Sequence, residues 1–241
     1  MKKCIIVGEG EVGSAIKQIE LESGNSVEIL DLDKKPKNTD GVDCMHICIP
    51  YGIRFLQFVT KYVNDYKPKL LIIHATIKPG TTQRLQKMLN IPVVHSLVRG
   101  VHPNLYEGLK TFVKYVGGEE QAVIEATEYL EKLGFKVRPI GTSINTELGK
   151  ILSTSYYGWN ILFAKQVKKL CKMYGADFEK VYTDMNNSYN EGYEKLGKKN
   201  VIRPVLFPPD GKILGHCISQ NIELLPDTKL KKMFKELNDN D

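Results

Sequence analysis

Residues 3–13 read KCIIVGEGEVG, a short apolar run that passes directly into the pattern Gly-x-Gly-x-x-Gly. The run has the length and composition of a buried strand, and the residues from Val12 onward have the apolar period of a helix. In this setting Gly8 permits a tight turn, Gly10 lets the backbone approach a pyrophosphate, and Gly13 lets the helix pack closely on the strand. The stretch therefore predicts a dinucleotide-binding loop at the start of a Rossmann-type domain.

The charged residues around this loop bear on which dinucleotide it binds. Asp31 ends the second predicted strand, where a carboxylate bonds the adenosine ribose and repels a 2′-phosphate, so NAD is favoured over NADP. Asp33 could take the same role, and Lys34 would weaken the discrimination. Glu9 and Glu11 carry like charge near a pyrophosphate, so their side chains are expected to face solvent. The alternative for the whole loop is a glycine-rich turn that binds no ligand.

Apolar strands alternate with amphipathic helices through the first 140 residues, and this predicts a parallel sheet. After Gly141 a long apolar-periodic helix over residues 146–174 begins a region in which helices dominate. The predicted fold is therefore α/β, with a Rossmann-type domain at residues 1–140 and a smaller, mainly helical domain at 141–241. Strands are predicted at 3–7, 26–32, 42–49, 70–75, 92–95, 111–116 and 136–140, and further helices at 12–23, 51–66, 81–89, 119–133 and 178–187, with one charged helix within 227–241.

The amino-acid composition argues against several classes of protein and of function. The 241 residues are 42% hydrophobic, which argues for a folded core, and the net charge of +6 is spread over scattered lysines rather than a basic stripe typical of nucleic-acid binding. No run approaches the roughly 20 apolar residues of a membrane span, and no signal peptide is evident. The five cysteines lack metal-site spacing and predict reduced thiols in a cytoplasmic protein with no metal. Cys4, Cys44 and Cys48 lie in predicted strands and are interpreted as buried packing residues.

Four blocks of the sequence carry a more specific resemblance. The first is the glycine loop with Asp31, and the second, at residues 74–82, reads HATIKPGTT. The third, at 147–150, reads ELGK, and the fourth, at 208–218, reads PPDGKILGHCI. In motif, order and spacing these blocks resemble the nucleotide-sugar dehydrogenases, such as the UDP-glucose and UDP-N-acetylmannosamine dehydrogenases.

The resemblance implies a reaction and a set of catalytic residues. The family oxidises a sugar primary alcohol to a carboxylate in two NAD-dependent steps, through a thioester on a cysteine that would be Cys217 here. Lys150 would steady an oxyanion, Thr76 would face the nicotinamide, and Glu107 and Asn221 would occupy further family positions. For Lys150 the alternative is a surface ion pair with Glu147. The predicted cofactor contacts are Gly8, Gly10, Glu11, Val12, Gly13, Asp31, Ile49, Pro50 and Thr76.

The chain departs from the family pattern at several points. Asn221 stands where the family has an aspartate, Thr154 stands where it has an asparagine, and Glu107 matches only the later glutamate of its segment. About 24 residues follow Cys217, too few for the family's third, nucleotide-binding domain. A substrate smaller than a nucleotide sugar is therefore expected.

These observations support one leading hypothesis and leave two alternatives. The leading hypothesis is an NAD-dependent oxidoreductase acting on the alcohol or aldehyde group of a sugar or other small molecule, and forming a homodimer through its long helix. The first alternative is a reductase like the hydroxyacid and 6-phosphogluconate dehydrogenases, which use a helix lysine and no cysteine. The second is an NAD-binding protein without catalytic activity.

Overall fold

A computed structural model of the chain describes residues 1–37, 40–100, 103–213 and 216–239, without the side chains of His216 and Cys217. Within these ranges seven strands form one sheet. They are β1 (Lys3–Val7), β2 (Ser26–Leu30), β3 (Cys44–Ile47), β4 (Leu70–Ile73), β5 (Val93–His95), β6 (Lys114–Gly118) and β7 (Val137–Pro139). Their order in the sheet is β2-β1-β3-β4-β5-β6-β7, and neighbours among the first five are parallel.

Helices connect the strands and continue beyond the sheet. The first five are α1 (Glu11–Glu22), α2 (Phe55–Tyr66), α3 (Thr81–Met88), α4 (Leu105–Thr111) and α5 (Glu120–Lys132). The long α6 (Ser143–Tyr174) follows, and a π-helical stretch (Glu179–Asp184) continues into α7 (Met185–Lys195). A 3₁₀ turn (Lys199–Val201), α8 (His216–Leu224) and α9 (Lys229–Asp239) complete the described elements. None of the helices within the described ranges is long and apolar enough to cross a membrane.

The two faces of the sheet carry separate hydrophobic clusters, because successive side chains of a strand point to opposite faces. Cys4 and Ile6 of β1 belong to the cluster that α1 and α5 cover. Ile5 and Val7 belong to the cluster that α2 and α3 cover. The predicted α/β fold, a sheet buried between helices, is thereby confirmed.

The structure differs from the sequence-based expectation in three local respects. β6 pairs with β5 in the antiparallel direction, whereas an all-parallel sheet was expected. The apolar period of a strand is the same in either direction, so the pattern alone cannot report this reversal. The short helix α4 was not predicted, and the helix expected over 178–187 extends to Lys195 with a π-helical start.

The chain forms two compact units, Met1–Lys150 and Ile151–Asp241. The division falls inside α6, whereas the sequence predicted a boundary after residue 140. The physical reason is that hydrogen bonds tie the first turns of α6 to the first unit: Glu147 accepts from Gly80 and Thr82, and Lys150 donates to Val98. In the second unit Trp159 packs edge-on against Phe234, with ring centroids 5.6 Å apart.

Candidate functional site

The predicted dinucleotide loop has two glycines that the fold itself requires. Gly8 lies in the left-handed region with φ +92°, and its N–H donates to the carbonyl of Leu30 at 2.9 Å. A Cβ at Gly8 would lie 2.9 Å from Cγ2 of Ile49. A Cβ at Gly13 would lie 1.8 Å from the carbonyl oxygen of Gly8, so α1 can pack this close to the loop only without a side chain there.

Gly10, the middle glycine, is different because no contact within the protein requires a glycine at this position. A Cβ at Gly10 would have no neighbour within 4 Å, so the residue faces open space. Gly10 is the N-cap of α1, and it offers no side-chain cap to the first-turn N–H groups. The amino end of α1 therefore presents backbone donors and a positive dipole end to that space, which suits an anionic group. Glu11 and Val12 begin the helix here, and Glu11 is exposed as expected.

Asp31 holds the loop in shape as well as marking the end of β2. Its carboxylate accepts hydrogen bonds from the backbone N–H groups of Glu9, at 2.6 Å, and Leu32, at 2.7 Å. These bonds lower the pKa of Asp31, so it is a carboxylate at neutral pH. Glu9 does not point freely into solvent as expected. Its side chain is only 17% exposed, because it pairs with Lys17 at 2.7 Å and with Lys34.

The remaining predicted cofactor contacts follow the carboxyl ends of the neighbouring strands. Ile49 and Pro50 come after β3, and Thr76 comes after β4. Pro50 is exposed, while Ile49 and Thr76 are half-buried. The structure thus brings these residues to the same edge of the sheet as the glycine loop, which is where open parallel sheets bind their ligands.

Glu147 and Lys150 at the start of α6 have separate partners. Glu147 is fully buried, and its carboxylate accepts the backbone N–H groups of Gly80, at 2.6 Å, and Thr82, at 2.9 Å. It therefore caps the amino end of α3, and burial raises its pKa. Lys150 donates to the carbonyl of Val98 at 2.8 Å, just beyond β5, and so lies at the carboxyl edge of the sheet. The carboxylate of Glu147 is therefore not at the surface, where the alternative ion pair with Lys150 would lie.

The three other predicted catalytic residues lie in different parts of the chain. Glu107 is exposed on α4, whose Tyr106 hydroxyl bonds Glu22 at the far end of α1, at 2.7 Å. Asn221 is buried within the second unit. The side chain of Cys217 lies outside the described residues, although its backbone belongs to the first turn of α8.

Sequence reasoning missed a group of buried polar residues on the α1 and α5 face of the sheet. Glu20, His46, His74 and Lys114 are at most 2% exposed and are joined by hydrogen bonds. The available signal was His46, which interrupts the apolar run of β3, because a polar side chain in a buried strand needs a polar partner. Cys4 and Cys44 on the same face are buried, as predicted, and burial raises the pKa of each thiol.

Together the sheet, its helices and the glycine loop define a Rossmann-type dehydrogenase fold. Sequence comparison confirms the predicted resemblance to nucleotide-sugar dehydrogenases, although no protein-family model matches the chain. A UDP-N-acetyl-D-mannosamine dehydrogenase of Methanococcus maripaludis strain S2 is 26% identical over 199 residues, which cover 80% of this chain and 43% of that protein. The protein of the same name from Methanocaldococcus jannaschii is 26% identical over 241 residues, covering 91% and 52%. The chain thus spans about half the length of the curated relatives it matches.

Solved structures show the same fold at lower identity. A UDP-N-acetylmannosamine dehydrogenase from Pyrococcus horikoshii superposes with a TM-score of 0.80 at 19% identity, covering 99% of this chain and 68% of that one. A 3-hydroxyisobutyrate dehydrogenase from Mycobacterium tuberculosis gives a TM-score of 0.72 at 14% identity, covering 100% of this chain and 93% of that one. Relatives that are dehydrogenases with this fold imply a nicotinamide nucleotide cofactor.

Proposed function

We propose that this chain binds NAD at the carboxyl edge of its sheet and oxidises an alcohol or aldehyde group of a small molecule. The observation that supports this best is Gly10. Gly8 and Gly13 are required by contacts within the protein. Gly10 instead faces open space at the amino end of α1, and as a glycine it has no side chain that could cap the helix. A ligand phosphate approaching the backbone at this point is the explanation that the loop favours.

The preference for NAD over NADP rests on Asp31. Two backbone hydrogen bonds keep it ionised, and a fixed negative charge at the end of β2 disfavours a 2′-phosphate. Lys34, the residue that would weaken this preference, is paired with Glu9. A positive charge engaged in this way is less available to a second phosphate.

The cofactor proposal is tested by titrating the protein with NADH and NADPH and following nicotinamide fluorescence. We expect tighter binding of NADH, and a smaller difference between the two in the Asp31→Asn variant, which keeps the size and one acceptor oxygen. Asp33→Asn is the matched control, because Asp33 is exposed two residues further on and should leave the preference unchanged. Equal affinity of the unmodified protein for both dinucleotides would refute the preference.

The proposed chemistry follows the nucleotide-sugar dehydrogenases. Cys217 would attack the aldehyde intermediate, Lys150 would stabilise the resulting oxyanion, and Thr76 would lie near the nicotinamide. The position of Lys150 at the carboxyl edge, beside the carbonyl of Val98, supports its part in this proposal. The asparagine at 221, in place of the family's aspartate, favours a weaker or altered second oxidation step.

The second candidate function is a hydroxyacid dehydrogenase that transfers a hydride without cysteine chemistry. The observation in its favour is the Mycobacterium tuberculosis 3-hydroxyisobutyrate dehydrogenase, whose chain is almost wholly matched by this one. Cys217→Ser separates the candidates: it abolishes aldehyde oxidation through a thioester but spares a simple hydride transfer. A non-catalytic NAD-binding protein would bind NADH, and neither the unmodified protein nor Cys217→Ser would show turnover.

We also propose that the protein forms a homodimer through α6. An exposed apolar stripe runs along this helix at heptad spacing, formed by Tyr156, Phe163 and Leu170, with Leu152 one turn before them. Tyr156 and Phe163 are 64% and 63% exposed. Large apolar side chains in such a row are typical of a surface that a second helix covers.

A further inference from the structure

A continuous line of buried polar side chains runs through the first unit on one face of its sheet. The Glu20 carboxylate lies 2.8 Å from Nε2 of His46, and Nδ1 of His46 lies 2.9 Å from Nε2 of His74. Nδ1 of His74 lies 3.2 Å from Nζ of Lys114. Each junction is within hydrogen-bond distance, and each links two groups that can exchange a proton.

One end of this line lies at the amino edge of the sheet. Tyr129 donates to Glu20 Oε1, and Asn25 donates to Glu20 Oε2, both at 2.7 Å. Tyr129 and Asn25 also line a cavity of about 360 Å³, together with Lys2, Asp43 and Lys69, which directly precede β1, β3 and β4. This cavity is at the opposite edge from the glycine loop, so it is not the dinucleotide site, but it gives water access to the neighbours of Glu20.

The other end of the line lies at the carboxyl edge. Lys114 begins β6, which runs antiparallel to β5, so it lies beyond the carboxyl end of β5. Its ammonium group donates to the carbonyls of Ser96, at 3.0 Å, and Leu97, at 3.3 Å. The next residue along, Val98, accepts a hydrogen bond from Lys150. The line therefore ends beside the segment that holds the proposed oxyanion-stabilising lysine.

We propose that Lys114, His74, His46 and Glu20 form a proton relay that crosses the sheet between its carboxyl edge and the cavity at its amino edge. Nothing in the dinucleotide loop uses these residues. A buried row of two imidazoles between an amine and a carboxylate is more than packing requires, since apolar side chains of similar size would fill the same space at no desolvation cost.

The relay has two arrangements with the same number of protons. In the first, Lys114 is an ammonium, His74 and His46 are each protonated at Nε2, and Glu20 is a carboxylate. In the second, Lys114 is a neutral amine, both imidazoles are protonated at Nδ1, and Glu20 is a carboxylic acid. The His74 Nδ1–H then donates to the carbonyl of Ser96, which lies 3.0 Å away. One proton has moved from Lys114 to Glu20 by a hop at each junction, and no electron is transferred.

Burial of Lys114 weakens its hold on its proton, which favours transfer away from this end of the relay. Burial lowers the pKa of Lys114 to about 7 and also lowers the pKa of His74. Burial raises the pKa of Glu20, but hydrogen bonds from His46, Asn25 and Tyr129 outweigh it, and the net shift is downward. The other titratable groups that face the relay are Cys4, Cys44, Cys48, His95 and Lys150.

The same residues invite one competing interpretation. Cys4, Glu20 and His46 each offer a ligand atom, and these atoms lie within 4.8 Å of one another, a spacing that could hold a metal ion. In the structure, however, the carboxylate and the imidazole are hydrogen-bonded to each other. The observed pairing favours the relay, and the experiment below includes the metal as an outcome that would overturn it.

The use of the relay in turnover rests on the proposed function, whereas its existence does not. Oxidation of an alcohol by a nicotinamide dinucleotide yields the aldehyde, the reduced dinucleotide and one proton. A route from the carboxyl edge to the amino-edge cavity would carry that proton away from a cleft closed by the cofactor. NADH binding tests the proposed function separately, so a failure of one does not imply a failure of the other.

The test is hydrogen exchange at the imidazole N–H groups of the full chain, followed by NMR of protein labelled with ¹⁵N-histidine. His46 and His74 are 0% and 2% exposed, so without a relay their N–H protons exchange only when the sheet opens. With a relay they exchange at least about tenfold faster than the imidazole N–H of His95, because no opening is needed. His95 is the internal control, since it is fully buried and bonds the carbonyl of Ala75 at 3.1 Å.

Two variants complete the experiment. Glu20→Gln keeps an acceptor for His46 but cannot take up a proton, so it should slow exchange at both imidazoles to the rate of His95. Glu22→Gln on the same helix is the matched control and should change nothing. If Glu20→Gln does not fold, Tyr129→Phe removes only the hydroxyl that links Glu20 to the cavity and should also slow exchange. Imidazole protons as slow as that of His95 in the unmodified protein, or one equivalent of zinc that Cys4→Ser loses, would overturn the relay.

Discussion

The glycine loop permits a prediction that separates folding from ligand binding. In Gly13→Ala the added methyl group would lie 1.8 Å from the Gly8 carbonyl oxygen, so α1 and the loop must move apart. Overpacking of this kind costs about 1–3 kcal/mol. In Gly10→Ala the methyl group meets no protein atom, and φ of −68° is allowed for alanine, so stability should stay within about 1 kcal/mol of the unmodified protein.

The two variants should therefore give opposite results in an assay of stability and an assay of NADH binding. Thermal unfolding should show a lower Tm for Gly13→Ala, by about 2–4 °C for each kcal/mol lost, and little change for Gly10→Ala. NADH titration should show the reverse for Gly10→Ala, with affinity lower by at least about tenfold, or about 1.4 kcal/mol, because the methyl group occupies the space where the pyrophosphate approaches. A Gly10→Ala protein that binds NADH with unchanged affinity would refute the argument that Gly10 exists for a ligand.

Three further predictions concern other parts of the chain. The pKa of Lys114 is about 7 in the folded protein, whereas the ordinary value of 10.5 applies to the unfolded chain. At pH values between these two, the unfolded chain therefore binds more protons than the folded protein. Through this group the free energy of unfolding should rise with pH from about 7 to about 10.5, and urea titrations should find a flatter profile in Lys114→Met; identical slopes would contradict this. Tyr156→Arg with Phe163→Arg should halve the mass measured by light scattering, and an unchanged mass would count against the α6 dimer. A limiting thiol reagent should label Cys217 before Cys4, whose pKa burial raises; labelling of Cys217 only after denaturation would exclude an accessible nucleophile.

Much of the fold followed from local patterns that have a direct physical cause. The run at 3–7 had to be a strand because it is short, apolar and ended by glycine, and β1 occupies that range. The long helix was evident from its apolar period, and α6 reaches Tyr174 as expected. The direction of β6 could not be predicted, because strand direction depends on how the chain returns to the sheet rather than on side-chain alternation.

The candidate site was predictable only in its local part. The roles of Gly8, Gly13 and Asp31 follow from backbone geometry within one loop and the next strand. They could therefore be predicted from the spacing of these residues in the sequence. The capping of α3 by Glu147 and the pairing of Glu20 with His46 join residues far apart in the chain. Such contacts depend on the packed structure, and the motif around Glu147 indicated a catalytic neighbourhood rather than a cap.

The contact between Glu147 and α3 also determines when α3 can be capped during synthesis of the chain. The N–H groups of Gly80 and Thr82 leave the ribosome well before their acceptor does, since they precede it by 67 and 65 residues. Until Glu147 emerges, the amino end of α3 must rely on water for these hydrogen bonds. A nascent chain that has released β7 but not yet Glu147 therefore holds the seven strands of the described residues without this cap on α3, and it should be the more readily cut by a protease at the turn around Gly80.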